Sequence, residues 1–213
     1  MNLIVFGASG RCGSHVVRRA MTRGHQVTGI ARAASSYTPP DGAAVVRGDV
    51  LEPAFVEHVI PGHDAVISCL GMRYRHPWAP RESPDDFTSR ATRHIVEGMK
   101  AAGIRRIGVI SAAGVGDSRE VLNWPMRLLL RTSNVGVAYA DLERVESVLR
   151  QSSLDWQAVR PTTLTHRPAT GRVRLTARYP ATATIPREDV ADFMLREMES
   201  PRFSERTPMI TAG

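Results

Sequence analysis

The chain has 213 residues, 42% of them hydrophobic, with 28 Lys+Arg against 21 Asp+Glu and a formal net charge of +7. That length and apolar content predict one globular domain with its own core, and no apolar run approaches the roughly 20 residues a membrane helix needs. Cationic side chains are scattered, aromatics are 6% of residues, and Cys12 and Cys69 show no metal-ligand spacing, which argues against a nucleic-acid partner, a disulfide framework and a metal site.

In chain order, a β-branched run at residues 3–6 predicts the first strand. Gly7-Ala8-Ser9-Gly10-Arg11-Cys12-Gly13 follows it and opens into a helix over 13–23 with Val16, Val17 and Ala20 on its apolar face. A glycine-rich turn between strand and helix lets backbone N–H groups approach a pyrophosphate at the positive end of the helix dipole. Gly7, Ser9, Gly10, Arg11, Cys12 and Gly13 are therefore candidate cofactor contacts, spaced G-x-x-G-x-x-G. A ligand-free tight turn is the alternative.

The second strand, 26–31, ends without the carboxylate that an NAD site offers to the ribose 2′-hydroxyl. Arg32, with Arg11 and Ser35 or Ser36 nearby, suits a 2′-phosphate instead, so NADP(H) is expected in preference to NAD(H). After the third strand, 44–47, Gly48-Asp49-Val50 sets Asp49 and Val50 towards the adenine, unless Asp49 is a local turn cap. A helix over 53–60 leads to the fourth strand, 65–68, after which Cys69, Leu70 and Gly71 offer backbone where ribose and pyrophosphate pass. A helix over 85–102 carries Lys100, the only lysine. The fifth strand, 107–111, ends on Ser111, a helix follows over 137–151, and the sixth strand spans 156–160. A last helix over 187–199 starts at Pro-Arg-Glu-Asp, with acids suited to its N-terminus.

This alternation predicts a single α/β domain over 1–213, a doubly wound Rossmann-type parallel sheet with helices on both faces. Three irregular stretches, 72–84, 112–136 and 161–185, follow strands and are expected to build a substrate pocket outside the carboxyl edge of the sheet. A chain that begins directly at the first strand, with no leader pattern, predicts a cytoplasmic protein without a membrane partner. Monomer and homodimer both fit.

The glycine turn, Gly48-Asp49-Val50, Ser111, and Leu154-Asp155-Trp156 running into Val159-Arg160-Pro161 resemble the atypical short-chain dehydrogenase/reductases. Tyr139-Ala140-Asp141, Thr170-Gly171 and Arg187-Glu188-Asp189-Val190-Ala191 are similar to the NAD(P)H-binding branch with the NmrA-like and flavin reductase/biliverdin reductase B types. The resemblance spans essentially the whole chain. It implies cofactor contacts from Ser111, Ala112, Pro161 and Thr162 and a reaction centre near Ser111 and Tyr139.

Standard members of that superfamily use a Tyr-x-x-x-Lys pair in which lysine lowers the tyrosine pKa. Four residues after Tyr139 stands Glu143, and no lysine follows Lys100. A carboxylate disfavours a phenolate, so carbonyl reduction by that mechanism is not expected. Hydride transfer to a flavin, quinone or similar conjugated acceptor places less demand on a protein proton donor. Arg73, Tyr74, Arg75, His76 and Trp78 can hold a planar, aromatic small molecule of this kind. Thr162 and Thr163 stand where the flavin reductase type has a histidine, with His166 close by. Ser111 is read either as orienting the carboxamide, as a hydrogen-bond donor, or as a backbone cap. Two further readings stay open: a non-catalytic NADP(H)-binding sensor of the NmrA-like kind, and a dedicated biosynthetic reductase or isomerase.

Overall fold

The computed structural model describes residues 1–213. Six strands, β1 (Asn2–Phe6), β2 (Gln26–Ala31), β3 (Ala44–Arg47), β4 (Ala65–Ser68), β5 (Arg106–Ile110) and β6 (Asp155–Pro161), lie parallel in the order β3-β2-β1-β4-β5-β6. Six helices cross between or flank them: α1 (Gly13–Thr22), α2 (Pro53–Val59), α3 (Phe87–Ala101), α4 (Trp124–Thr132), α5 (Asn134–Gln151) and α6 (Arg187–Glu199). This is the expected doubly wound fold.

The central strand shows why both faces must be covered. Alternate residues of β1 enter different cores, Ile4 and Phe6 under α2, α3 and α5, and Leu3 and Val5 under α1 and α6. All four are fully buried, as period-2 alternation in a strand covered on both sides requires. The chain winds outward from β1 to β3, returns, and winds the other way from β4 to β6. The connections therefore diverge between β1 and β4, leaving a crevice at the carboxyl ends of these two strands.

Beyond β6 the sheet grows in a way the sequence reading left out. β10 (Met209–Ala212) pairs parallel with β6, and β8 (Val173–Leu175) pairs antiparallel with β10. A separate pair joins β7 (Thr163–Thr165) to β9 (Thr184–Pro186). The stretch 161–185 thus contains three short paired segments, too short to display a period of two. The stretch 112–136 likewise holds a 3-10 turn, Gly116–Val121, and the amphipathic helix α4. Ser133 caps α5 by accepting from the Val135 N–H (3.3 Å), which starts that helix earlier than residue 137.

Two fully or almost fully buried carboxylates act as remote clamps. Asp141 of α5 accepts from the Thr88 and Ser89 N–H groups (2.7 and 3.3 Å), capping α3 where no local side chain does so. Asp189 of α6 accepts from the Thr170 N–H and hydroxyl and from the Gly171 N–H (2.9, 2.7 and 3.0 Å). No helix is long and apolar enough to cross a membrane.

Candidate cofactor and active site

The glycine turn packs against its own backbone. Gly7 adopts φ +77°, and a Cβ there would sit 2.9 Å from the Cys69 carbonyl oxygen. At Gly13 a Cβ would fall 2.1 Å from the Gly7 carbonyl oxygen. Side chains at either position would break the turn. The Cys69 N–H donates to the Phe6 carbonyl (2.8 Å), tying the ends of β4 and β1 together. The Ser9, Arg11 and Cys12 amides donate to no backbone carbonyl, and the first turn of α1 has neither an acid nor a side-chain cap. Unsatisfied N–H groups at a helix start, with no carboxylate to meet them, form a seat for an anion.

Above this seat lies a cleft of about 550 Å³. Gly7, Ser9, Gly10, Arg11, Arg32, Asp49, Val50, Cys69, Leu70 and Gly71 all line it, bringing together residues from four strand ends. A Cβ on Gly71 would meet nothing within 4 Å, so packing within the protein leaves space beside it. The cleft's outer wall is the hairpin of 72–84, closed by a bridge between Tyr74 and Arg81 and by an Arg73–Glu82 ion pair at 2.7 Å. Arg11, Arg32 and Arg75 face the cleft without a carboxylate partner, an arrangement matched to phosphate groups. Asp49 lines the cleft and also caps its own turn, accepting from the Leu51 N–H at 2.9 Å. Arg47 holds the segment after β2, donating to the Ser35 and Tyr37 carbonyls (3.3 and 2.9 Å). Glycine turn, free cations and open wall together fit a dinucleotide.

Cys12 and Gly13 lie outside the cleft lining, beneath the turn. Burial pushes the Cys12 thiol up against the opposing pull of Arg187 and Arg11, and burial pushes Cys69 well up. Both stay neutral free thiols at neutral pH. No group of three or more His, Cys, Asp or Glu is placed to hold a metal ion.

Past β5, Ser111 is buried and its hydroxyl donates to Glu146 Oε1 at 2.8 Å. Glu146 is fully buried in α5, and Arg160 grips it through Nε (2.9 Å to Oε1) and Nη2 (2.6 Å to Oε2). Arg160 reaches on to Asp117 at 2.5 Å, and Arg150 adds a bond to Glu146 at 2.9 Å. With its proton held by a carboxylate, Ser111 presents only lone pairs to a neighbour. The Tyr139 hydroxyl donates to the Ala113 carbonyl at 3.1 Å. Burial, with Tyr179 and Tyr74 nearby, pushes the ionisation of this phenol well up. Glu143 is exposed, and so is Lys100, in the last turn of α3, which leads to the amino end of β5.

Pro161 and Thr162 are buried. Thr162 bonds across the sheet to Thr211 (3.1 Å) and to the Ile210 carbonyl (3.0 Å), and the Pro161 carbonyl accepts from Ala113. His166 is exposed, and the His76 Nδ1 accepts from the Trp78 N–H at 3.3 Å. Glu146 and Tyr179 escaped sequence reasoning. The available signal was Glu146 itself, a charge in the otherwise apolar stripe of Val145 and Leu149. Tyr179, which meets the Thr163 hydroxyl at 2.8 Å, lies in a segment with no periodic pattern.

A doubly wound sheet with a glycine-rich anion seat at its switch point defines a Rossmann-type dinucleotide-binding protein. Comparison with known proteins narrows the class: the model of the NAD(P)H-binding family matches residues 7–201, and the chain belongs to that family. YwnB of Bacillus subtilis is 30% identical over 156 residues, 70% of this chain and 68% of its own. Rv2047c of Mycobacterium tuberculosis is 27% identical over 163 residues that make up 75% of this chain but 14% of that protein. Among solved structures, the anaerobillin reductase ChuY of Escherichia coli O157:H7 superposes with a TM-score of 0.81 at 23% identity, covering 99% of this chain and 96% of its own. A wide-type short-chain dehydrogenase/reductase of Veillonella parvula, solved in complex with NADP, gives 0.78 at 16%, covering 98% and 93%.

Proposed function

We propose that this protein is an NADPH-dependent reductase that passes hydride to a flavin, a quinone or a similarly conjugated acceptor. The observation that carries the reading is the state of the two hydroxyls at the end of β5: the Ser111 proton is held by Glu146 and the Tyr139 proton by the Ala113 carbonyl. Neither is presented to an acceptor oxygen. A simple ketone builds alkoxide charge and needs such a donor, whereas a quinone or flavin spreads the charge and takes its proton from water.

The bound nicotinamide supplies the hydride. The chain's own residues bind, orient and enclose. Arg32 would meet the 2′-phosphate, the amides of the glycine turn would hold the pyrophosphate, and Asp49 and Val50 would border the adenine. Ser111, its lone pairs fixed in direction by Glu146, would accept from the carboxamide N–H₂ of a bound nicotinamide and so help to orient it. Tyr139 and Tyr74 wall the acceptor space with neutral phenols. The reductase activity named for ChuY and for a Stenotrophomonas maltophilia relative, a 2-alkyl-3-oxoalkanoate reductase 29% identical over 115 residues, 54% of this chain and 34% of its own, supports a reductase.

The test is steady-state NADPH oxidation by purified protein with FMN, riboflavin and short quinones in one set and simple aldehydes and ketones in the other. Saturable turnover confined to the conjugated set is expected. Turnover confined to simple carbonyls would overturn the reading.

A further inference from the structure

One cation beside the glycine turn stands outside the ion pairs that tie α1 to α6. Along the α1–α6 contact, Arg19 pairs with Glu188 (2.9 Å), Arg23 pairs with Asp192 and Glu199 (3.1 and 2.8 Å), and His25 meets Glu199 (2.8 Å). Arg187, the first residue of α6, stands at the head of this ladder with no carboxylate partner. Its neighbour Glu188 turns to Arg19 instead. The Arg187 guanidinium lies against the Cys12 thiol and near Arg11, and its Nη1 is buried without an acceptor. A half-buried guanidinium that meets only a neutral thiol and a second cation is costly unless an anion joins it. Cys12 is the N-cap of α1, beside the unsatisfied Ser9, Arg11 and Cys12 amides.

We infer that Arg187 is a pyrophosphate-binding residue, closing the glycine turn from the α6 side, while Arg32 serves the 2′-phosphate. This inference rests on the dinucleotide reading of the cleft and assigns its charges separately. A residue on the pyrophosphate acts equally on NADP and NAD, because both carry that group. A residue on the 2′-phosphate discriminates between them.

The experiment is equilibrium binding of NADP⁺, NAD⁺ and adenosine 2′-monophosphate to wild type, Arg187→Gln and Arg187→Lys, with the thermal midpoint of each ligand-free variant measured alongside. For Arg187→Gln the dissociation constants for NADP⁺ and NAD⁺ are expected to rise together by about tenfold or more, the loss typical of a charge-assisted hydrogen bond. Adenosine 2′-monophosphate binding stays as in wild type. Arg187→Lys, which keeps the charge and loses the planar fork, falls between. Unchanged dinucleotide affinity in both variants would overturn the inference, as would an equal loss for adenosine 2′-monophosphate, which would mark a purely structural role. Failure of the dinucleotide reading looks different: wild type itself would then bind neither NADP⁺ nor NAD⁺.

Discussion

In the proposed reaction centre, Ser111 and Glu146 act as one unit. The Ser111 hydroxyl donates to a carboxylate that Arg160 holds by two bonds, so the serine's orientation is inherited from a buried ion pair. Ser111→Ala is predicted to lower kcat with little change in NADPH affinity, read by comparing steady-state turnover with a direct binding titration. Glu146→Ala removes the partner of a guanidinium whose side chain is 3% exposed. Arg160 then keeps only the exposed Asp117 as a partner, and a loss of roughly 3 kcal/mol, the low end for a broken buried pair, is expected in denaturant unfolding. At the adenosine end, Arg32→Glu is predicted to weaken NADPH far more than NADH in the same titration. Equal losses for both would remove Arg32 from the 2′-phosphate.

Among the elements, α3 depends on a residue far away in sequence. Its first turn is capped by Asp141 of α5, so Asp141→Ala leaves the Thr88 and Ser89 N–H groups buried without an acceptor. A loss of about 1–3 kcal/mol in unfolding free energy is expected, with α3 fraying first in hydrogen exchange. The strands that form the crevice were legible because β1 and β4 are continuous apolar runs and the glycine turn follows β1 directly. Cleft residues from Gly7 to Gly71 were legible for the same reason, each standing one turn beyond a recognisable strand. The elements β7 to β10 were not, because strands of three or four residues are too short to display a period of two. Nor were the partners of Asp141, Glu146 and Asp189: the acids are visible as charges among apolar neighbours, but what they hold depends on tertiary contacts.

For the whole molecule, the excess of arginine is distributed by task. Arg19, Arg23 and Arg160 are paired across elements, while Arg11 and Arg32 line the cleft without a carboxylate partner and Arg187 lies against Cys12 beside the glycine turn. The Arg160 hydrogen bond holds the Asp117 carboxyl below its usual range. A carboxyl whose folded pKa lies below its unfolded value stabilises the fold above the unfolded pKa, and that contribution is lost as pH falls through the folded one. Asp117→Asn is therefore predicted to be less stable than wild type near neutral pH, with the difference closing in acid below the ordinary carboxylate range. Because the Asp117 side chain is 82% exposed, the gap is small.

Under the proposed function, the cleft brings hydride from NADPH to a conjugated acceptor. The most direct measurement is anaerobic NADPH oxidation with a short quinone as acceptor, with NADH run in parallel and hydride carrying deuterium in a second series. Saturable turnover is expected, faster with NADPH than with NADH, and slowed when the transferred hydrogen is deuterium. Tight NADPH binding with no oxidation by quinone or flavin would contradict it and indicate a cofactor sensor.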